Sequence, residues 1–373
     1  MRLKSLYWKA PPKVDIVVFG SPRYQELAPL LENVRHEVLH VHGEKYSIPL
    51  VLAAVVLRLK SGKPLRECYL DRYISICEPK LVLSFIDNDP YFRALSPRFE
   101  NLETVIIQHG VMEDLDFDNP NQIEFVDHMF VINAAQGQGY GRKLGGSWYP
   151  VGLFRSNANP KKSLPVRKVV SFISQVEVPF SPSRPYLEPN GNPIPFEVYY
   201  FAERLVLSAL DEFCRSENVT LEVIGRQLES KASKAEQAFF QSHLKSCKWT
   251  FVGRTSAVSS YDLIDSSSMV VSITSTLGYE SIQRKNKTAV LAIRNHQRQV
   301  KSEGFGWPHE TSENGPFWTH SNEPKCLKDT LLRTWTLDSE EFAIAREALM
   351  PTVIAEDPAN RTLREFISSR FLQ

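Results

Sequence analysis

An apolar run that leads into hydroxyl-bearing residues and then into a helix is the part of the sequence most suggestive of chemistry. Residues 269–273 lead into the run Thr274-Ser275-Thr276, and Gly278 and Glu280 follow in a helical segment. At such a turn, unpaired N–H groups and the positive end of the helix dipole attract an anion, and the bare Gly278 lets a phosphate approach closely. Glu280 would accept hydrogen bonds from ribose hydroxyls. The alternative interpretation is a Ser/Thr cap on a structural helix.

Two further strand ends in the same half of the chain carry a glycine followed by an arginine. Gly225-Arg226 follows residues 219–224, and Gly253-Arg254 follows residues 249–252. The carboxyl ends of parallel strands line the ligand crevice of an open sheet, so these guanidinium groups are expected to face the same site. Forked guanidinium donors suit a monophosphate or diphosphate ester. Alternatively, each arginine pairs with a surface carboxylate.

A histidine follows a strand of the first half in a similar way. The run Gln108-His109-Gly110 comes after the strand of residues 104–107 and is therefore expected at the carboxyl edge of a sheet. An imidazole with a pKa near neutrality is the usual group for removing a proton from an attacking hydroxyl. The alternative is a histidine that hydrogen-bonds only to nearby backbone. Four carboxylates are further candidate bases or orienting groups: Asp87, Asp89, Glu113 and Asp114.

Two short patterns imitate known motifs without their structural context. The run His36-Glu37-Val38-Leu39-His40 matches the H-E-x-x-H zinc motif, but that motif needs a helix, and the alternation around it predicts a strand. In Gly137-Gln138-Gly139-Tyr140-Gly141-Arg142, an arginine replaces the last glycine of a dinucleotide loop. The sequence contains neither a G-x-x-x-x-G-K-S/T phosphate loop nor a G-x-S-x-G elbow. Zinc proteolysis, nicotinamide chemistry, kinase-like ATP hydrolysis and esterase chemistry are therefore disfavoured.

The elements that must position these residues alternate along the chain. Short β-branched runs alternate with helical segments, which is typical of a parallel sheet covered by helices. In the first half, strands are predicted at residues 15–20, 37–42, 81–86, 104–108 and 128–132, with helices after Ser47 and over 64–77. In the second half, strands are predicted at residues 168–173, 219–224, 249–252, 269–273 and 288–293, with helices over 196–216, 234–244, 277–285 and 343–371.

A polar stretch with two prolines, residues 154–165, separates the two halves. We therefore predict an α/β protein with two doubly wound, Rossmann-like domains facing a cleft, over residues 1–157 and 158–373, the second including the C-terminal helices. Two long loops interrupt the second half, at 176–196 with six prolines and at 295–324 with several aromatic residues. The aromatic residues favour a functional loop, although they would also serve to fix it to the surface.

Composition narrows the function classes. The 373 residues carry a formal net charge of +1, so the protein has no overall field that would attract nucleic acid or an anionic membrane. Five scattered cysteines argue against a disulfide framework or a zinc site. No signal peptide is recognised, and the apolar run 50–57 is far shorter than the ~20 residues of a membrane span. We expect a cytoplasmic protein in which residues 50–57 form a buried helix.

Together these features resemble a GT-B glycosyltransferase, an architecture in which the C-terminal domain holds a nucleotide-activated donor and the N-terminal domain holds the acceptor. A more distant similarity is to CDP-glycerol glycerophosphotransferases, polysialyltransferases and the transferases that use CMP-activated octulosonic acid. More narrowly, the following stretches resemble O-antigen biosynthesis proteins of bacteria: residues 107–110, 149–152, 272–280, 284–287, 305–307 and 315–319.

The resemblance implies transfer of a sugar from a nucleotide donor to a growing surface glycan, such as O-antigen, lipopolysaccharide or capsule. It implies that His109 is the general base. The residues expected on the acceptor side, or orienting that base, are Gln108, Gly110, Asp87 and Glu113. The residues expected at the donor nucleotide are Gly225, Arg226, Arg254, Thr274, Ser275, Thr276, Gly278 and Glu280.

The resemblance also implies the partners and leaves alternatives open. We expect a nucleotide sugar as co-substrate, a glycan or lipid-linked glycan as acceptor, peripheral association with the inner face of the cell membrane, and no nucleic acid. No cofactor is expected, and no metal, because a D-x-D motif is missing from the place where a metal-dependent transferase would have it. The E-x7-E spacing of one retaining group is also missing, since Lys287 stands seven residues after Glu280. A glycerophosphotransferase, a sugar-nucleotide epimerase, a pyruvyl transferase and a non-enzymatic nucleotide-binding or glycan-binding relative stay open.

Overall fold

Two six-stranded sheets, one in each half of the chain, organise the fold. The computed structural model describes residues 5–21, 23–41, 45–110, 124–177, 192–227, 230–256, 258–294, 296 and 304–372. These divide into two units. Unit 1 comprises the described residues up to Ala158 together with those from Glu356 onward, and unit 2 comprises the described residues from Asn159 to Ala355.

Strands and helices alternate along the whole chain. Up to Ala158 they are β1 (Ser5–Tyr7), β2 (Ile16–Phe19), α1 (Tyr24–Leu31), β3 (His36–Leu39), β4 (Lys45–Ser47), α2 (Ile48–Ser61), α3 (Leu65–Cys77), β5 (Leu81–Ser84), α4 (Pro90–Arg93), β6 (Glu103–Ile107), β7 (His128–Val131), α5 (Ala134–Leu144), β8 (Ser147–Pro150) and α6 (Phe154–Ala158). Beyond it they are β9 (Arg167–Ile173), α7 (Phe196–Tyr199), α8 (Phe201–Ser216), β10 (Thr220–Ile224), α9 (Ser230–His243), β11 (Trp249–Val252), α10 (Ser259–Ser266), β12 (Ser267–Ser272), α11 (Thr276–Gln283), β13 (Thr288–Leu291), β14 (Trp318–Thr319), α12 (Pro324–Thr336), α13 (Ser339–Glu347) and α14 (Arg361–Phe371).

Both sheets are parallel and doubly wound. The strand order is β3-β2-β5-β6-β7-β8 in unit 1 and β11-β10-β9-β12-β13-β14 in unit 2, and β1 pairs separately with β4. In each sheet the chain builds one edge first and then returns to the other side of its starting strand. The strand order therefore reverses between β2 and β5 and between β9 and β12, the places where open α/β sheets bind ligands.

The alternation of side chains along each strand produces two core layers. In unit 2, Val170 and Phe172 of β9 pack into a large core that includes residues of α8 and α12. Ile173, on the opposite face of β9, packs with Tyr261 and Ile264 of α10. Because helices cover both faces, the strands are apolar on both, as is typical of parallel sheets.

All ten predicted strands are confirmed, with ends that differ by at most three residues. The strand prediction for the H-E-x-x-H pattern is confirmed as well, since His36–Leu39 is β3. The glycine-rich pattern lies in α5, where a Cβ on Gly137 would come within 2.4 Å of the Trp148 ring. Gly137 and Gly141 therefore allow α5 to pack closely on β8. The short strands β1, β4, β8 and β14 were not predicted, and neither were the helices α1, α4, α5, α6, α10 and α12.

The C-terminal helices differ from the prediction. The predicted helical segment 343–371 is two helices, because α13 ends at Glu347 and α14 begins at Arg361. The second domain was expected to include all of this segment, yet α14 belongs to unit 1. There Leu363, Phe366 and Ile367 complete the apolar layer over β5, β6 and β7.

The prediction that residues 50–57 form a buried helix is wrong for one side of α2. Leu50 and Ala54 are buried, whereas Leu52 and Val56 are more than half exposed. The buried side of α2 belongs to the core that includes Cys68 and Tyr69 of α3. Among the described helices, none has both the length and the apolar content that are needed to cross a membrane.

The aromatic residues of the loop 295–324 serve packing. Phe305, Phe317 and Trp318 are buried, and the Gly306 N–H donates a hydrogen bond of 2.8 Å to the Tyr279 hydroxyl. These contacts fix the described residues 305–318 to the core of unit 2, as in the alternative interpretation. In the proline-rich loop 176–196, residues 178–191 lie outside the described part of the chain.

Candidate functional site

The predicted Ser/Thr run lies where the strand order of unit 2 reverses. Thr274 follows β12, and Gln175 follows the adjacent strand β9. The Thr274 N–H donates to the Gln175 side-chain oxygen at 3.1 Å, and the Thr274 hydroxyl donates to the same atom at 3.4 Å. These bonds join the two strand ends at the point where an α/β sheet presents its ligand site.

Helix α11 begins immediately after this junction. Ser275 is its N-cap, and its hydroxyl accepts a hydrogen bond of 3.3 Å from the Leu277 N–H. Ser275 therefore has the capping role of the alternative interpretation, while Thr274, Ser275 and Thr276 are all partly exposed at the helix start. A Cβ on Gly278 would lie 2.3 Å from the Ser272 hydroxyl oxygen, so glycine is needed for close packing of α11 on β12. Glu280 lies on the same helix and is buried.

The backbone of Arg226 is held by a glutamate that the sequence analysis did not single out. Glu236, on α9, is fully buried. Its two carboxylate oxygens accept hydrogen bonds from the N–H groups of Arg226 at 2.8 Å and Gln227 at 3.2 Å, and it also accepts one from the Ser174 hydroxyl. Burial raises the pKa of Glu236, whereas these hydrogen bonds and the nearby Arg226 charge act in the opposite direction. Glu236 thus positions the turn after β10.

The Arg226 guanidinium lies at the end of β9. It donates to the Gln175 carbonyl oxygen at 2.9 Å, and its other terminal nitrogen lies 3.3 Å from a carboxylate oxygen of Glu177. The second contact is the surface pairing of the alternative interpretation, and the first links the guanidinium to Gln175, whose side chain accepts hydrogen bonds from Thr274. Gly225 has no room for a side chain, because a Cβ there would meet the Phe251 ring at 2.6 Å.

Arg254 lines a small cavity at the ends of β10 and β11. The cavity has a volume of about 120 Å³, and Gly253 and the first residues of α10, Ser259 and Ser260, also line it. Ligand pockets usually measure about 300 Å³ or more, so this cavity has room for only part of a ligand.

A buried ion pair supports the Ser/Thr run from the other side. Arg294 follows β13 and pairs with Glu203 of α8, which is fully buried. A second nitrogen of Arg294 donates to the Thr274 hydroxyl at 3.2 Å. Burial raises the pKa of Glu203, and the Arg294 charge acts to lower it. We call Gln175, Thr274, Arg294 and Glu203 the strand-end network.

A larger cavity of about 390 Å³ lies at the opposite edge of the same sheet, where β12 and β13 begin. Lys161 and Lys287 are among its lining residues. Lys161 donates to the Asn286 side chain at 2.6 Å, and Lys287 donates to the carbonyl oxygens of Trp335 and Leu337. The amino ends of parallel strands are not where such sheets bind ligands, so we place the candidate site at the carboxyl edge.

In unit 1, His109 lies just beyond the end of β6 and is exposed. Its ring and that of Phe85 pack edge to face, with ring centroids 6.5 Å apart. Partial shielding from water and the positive charge of Arg23 lower the pKa of His109, while Asp87 and a hydrogen bond to the Phe85 backbone act to raise it. The neutral imidazole, which is the form that accepts a proton, is therefore favoured near pH 7.

Asp87 follows β5, the strand next to β6, and is buried. One of its carboxylate oxygens accepts a hydrogen bond of 2.9 Å from the Tyr140 hydroxyl, and its carbonyl oxygen accepts one of 3.1 Å from Arg93. Burial raises the pKa of Asp87, whereas the Tyr140 hydrogen bond and the charge of His109 act to lower it. Asp87 is thus fixed by the protein and influences His109 through its charge.

The other acceptor-side candidates have structural contacts or lie outside the described residues. Gln108 is fully buried, and its side chain bonds to the Ile132 N–H, to the Gly110 carbonyl and to Gln136. Asp89 caps α4 and pairs with Arg66. Glu113 and Asp114 lie outside the described part of the chain. Within the described residues, no group of three or more His, Cys, Asp or Glu side chains is arranged to hold a metal ion.

Comparison with known proteins supplies both a family and a fold. A family model described as "putative O-antigen biosynthesis protein" matches residues 109–370. No curated protein matches the sequence significantly.

Among solved structures, the chain is similar to a "putative UDP-N-acetylglucosamine 2-epimerase" from Listeria monocytogenes, with 14% identity over 96% of this chain and 97% of the other, and a TM-score of 0.55. The wall teichoic acid polymerase TagF shares 12% identity over 96% and 90% of the two chains, with a TM-score of 0.51. A UDP-GlcNAc 2-epimerase from Neisseria meningitidis, bound to UDP-GlcNAc, shares 10% identity over 98% and 100%, with a TM-score of 0.53. These similarities confirm the predicted α/β class with two Rossmann-like domains of GT-B type.

Proposed function

Because this chain belongs to the O-antigen biosynthesis protein family, whose model matches more than two thirds of it, we propose that it is a glycosyltransferase. It transfers a sugar from a nucleotide-activated donor to a growing surface glycan, free or lipid-linked, on the cytoplasmic side of the membrane. The observation that carries the proposal is the Thr274-Ser275-Thr276 run at the start of α11, where the strand order of unit 2 reverses. That is the place where a phosphate of the donor would bind.

Unit 2 is the donor-binding domain in this proposal. The start of α11 and the guanidinium groups of Arg226 and Arg254 bind the donor phosphates, and Glu280 accepts hydrogen bonds from the ribose. The similarity to an epimerase structure that is bound to UDP-GlcNAc supports a nucleotide-sugar ligand. Fixed positive charges stabilise a developing phosphate anion. In preorganised active sites, each such charge or hydrogen-bond donor commonly contributes about several kcal/mol. These groups supply the positive charge that the leaving phosphate requires, so the proposed reaction uses neither a metal nor a further cofactor.

Unit 1 supplies the general base. The acceptor hydroxyl oxygen forms a bond to the anomeric carbon of the donor sugar, and its proton moves to the His109 imidazole. The bond between that carbon and the phosphate oxygen breaks, and its electron pair leaves with the nucleotide. The negative charge of Asp87 favours the protonated imidazole that forms on His109. The Gln108 side chain donates to the Gly110 carbonyl oxygen and so holds the backbone on both sides of His109.

The proposal is tested first by nucleotide binding to the purified chain. We expect one of CMP, CDP, UDP, GDP and dTDP to raise the melting temperature selectively, because a ligand that binds only the native state stabilises it. Arg254→Gln should weaken that binding by roughly tenfold, which corresponds to the loss of one charge-assisted hydrogen bond. Ser275→Ala should weaken it as well, because loss of the cap disturbs the start of α11, where the phosphate would bind. Isothermal titration calorimetry measures the affinities.

The matched control is Asp338→Ala. Asp338 caps α13 in the same unit, so its loss costs a similar amount of stability to the loss of Ser275, and we expect nucleotide affinity to stay unchanged. If none of the nucleotides binds, donor recognition by unit 2 is refuted. An enzyme that converts a nucleotide sugar into its epimer without any acceptor would instead establish the epimerase alternative.

The pH dependence of transfer provides a separate test of the base. Because the pKa of His109 is lowered, the acidic limb of the kcat/KM profile should lie below the ordinary histidine pKa of about 6.5. Arg23→Gln removes a positive charge and should move the limb to higher pH. Asp87→Asn removes a negative charge and should move it to lower pH. Movement of the limb in the same direction in both variants would contradict the assignment of His109 as the base.

A further inference from the structure

One side of α2 forms an apolar surface that is exposed to solvent. The side chains on this side are spaced by three and four residues, which puts them in a single row along the helix. The opposite side, with Leu50 and Ala54, is buried. We call the exposed row the α2 stripe, and it consists of Leu52, Val55, Val56 and Leu59, which are 61, 41, 52 and 82% exposed.

Exposed apolar residues continue beside the start of this helix. Leu6 and Trp8 are 55 and 78% exposed, in and just after β1. Strand β1 pairs with β4, whose last residue, Ser47, is the N-cap of α2. Six of the twelve large apolar side chains that are exposed in the described chain therefore belong to two neighbouring segments. Isolated exposed apolar residues are ordinary, but a concentration of them marks an interaction surface.

The charged residues of α2 and of the short segments that flank it are all basic. Residues 45–66 contain five basic residues and no acidic one. Arg58 and Lys60 are exposed, and the helical repeat of 100° per residue places them on the two flanks of the stripe. Lys63 and Arg66 form ion pairs with carboxylates of α3 and of the α4 cap, so they contribute less free charge. An apolar row between cationic flanks is the pattern of a helix that lies in a membrane interface.

We propose that the α2 stripe is a membrane-contact surface that binds an anionic phospholipid bilayer. The helix lies parallel to the bilayer plane, the stripe enters the boundary between headgroups and acyl chains, and Arg58 and Lys60 contact lipid phosphates. A second copy of the chain fits the surface less well, because a two-fold interface would bring these single-sign flanks together. The proposal does not depend on glycosyl transfer, since no donor nucleotide takes part in lipid binding.

The test is sedimentation of the full chain with large vesicles of phosphatidylethanolamine and phosphatidylglycerol, in the absence of nucleotide. We expect the wild type to sediment with these vesicles and much less with phosphatidylcholine alone. Leu52→Ser combined with Leu59→Ser should lower the partition coefficient by about tenfold or more, because two apolar side chains that enter the bilayer are lost. Arg58→Gln combined with Lys60→Gln should lower the partition coefficient by roughly tenfold. Added salt should likewise weaken vesicle binding by the wild type, because it screens the attraction between these charges and anionic lipids.

The matched control is Leu332→Ser combined with Ile344→Ser. These residues are 48 and 66% exposed on α12 and α13 of unit 2, and their replacement should leave vesicle binding unchanged. Vesicle binding that persists unchanged in the Leu52→Ser/Leu59→Ser variant overturns the proposal, and so does a wild type that never sediments with anionic vesicles. If that wild type is instead a dimer in solution, and the same variant is a monomer, the surface binds a second copy.

Discussion

Replacement of His109 by alanine should lower the rate of sugar transfer by about two to four orders of magnitude, the range typical of general-base catalysis. Nucleotide affinity should change little, because the proposed donor residues belong to unit 2 and His109 belongs to unit 1. The side chain is exposed and has an edge-to-face ring contact with Phe85, so its loss should leave the fold intact. Single-turnover transfer to a glycan acceptor, with separate titration of the nucleotide, measures both quantities.

His36→Ala is a suitable control for this experiment. His36 begins β3 in the same unit, at the amino edge of the sheet, and bonds to the Tyr24 hydroxyl at 2.7 Å. Its replacement also removes an imidazole from the first sheet, but at the edge opposite His109, and it should leave transfer unaffected. Imidazole added to the His109→Ala enzyme should restore part of the rate. A His109→Ala enzyme with wild-type turnover would refute the catalytic assignment.

The fold could be predicted in detail because each parallel strand has a signature in its own residues. Runs such as 168–173 and 269–273 are short, β-branched and bounded by polar residues, since both their faces are buried. The predictions failed where structure depends on distant contacts. Helix α14 completes the apolar layer of unit 1 although it follows unit 2 in the chain, and α2 exposes a side that its sequence alone suggests is buried.

The candidate site was predictable only in part, for a related physical reason. The Ser/Thr run and the glycine–arginine pairs stand at strand ends, and strand ends can be recognised from local sequence. The residues that hold these strand ends in place cannot be recognised from local sequence. Glu236 reaches the turn after β10 from α9, and Glu203 reaches Arg294 across 91 residues of sequence. No local pattern marks such residues, because their roles follow from tertiary packing of helices against the carboxyl edge of the sheet.

Replacement of Arg294 by alanine should destabilise unit 2 by about 3–5 kcal/mol, the usual result of leaving a buried charge without its partner. Glu203 is fully buried and Arg294 is 6% exposed, so water cannot replace the lost guanidinium. A loss of this size should lower the melting temperature by roughly 10 °C. Without Arg294, the pKa of Glu203 would rise further. The free energies of unfolding of the variant and the wild type should therefore be most similar below the unfolded-state pKa of Glu203, and their difference should grow as the pH rises toward 7.

The double variant Glu203→Leu/Arg294→Met separates the stability of this pair from its influence on the site. Apolar residues of similar volume commonly replace a buried ion pair with little loss of stability. We therefore expect the double variant to recover most of the decrease in melting temperature that Arg294→Ala causes. The hydrogen bond from Arg294 to the Thr274 hydroxyl does not return, and nucleotide affinity should therefore stay below that of the wild type. Lys328→Ala is the control. Lys328 of α12 forms an exposed ion pair with Glu212, which lies on α8 as Glu203 does, and its loss should cost less than about 1 kcal/mol. Wild-type nucleotide affinity in the double variant would show that Arg294 acts on stability alone, and that Gln175 suffices to hold the Ser/Thr run.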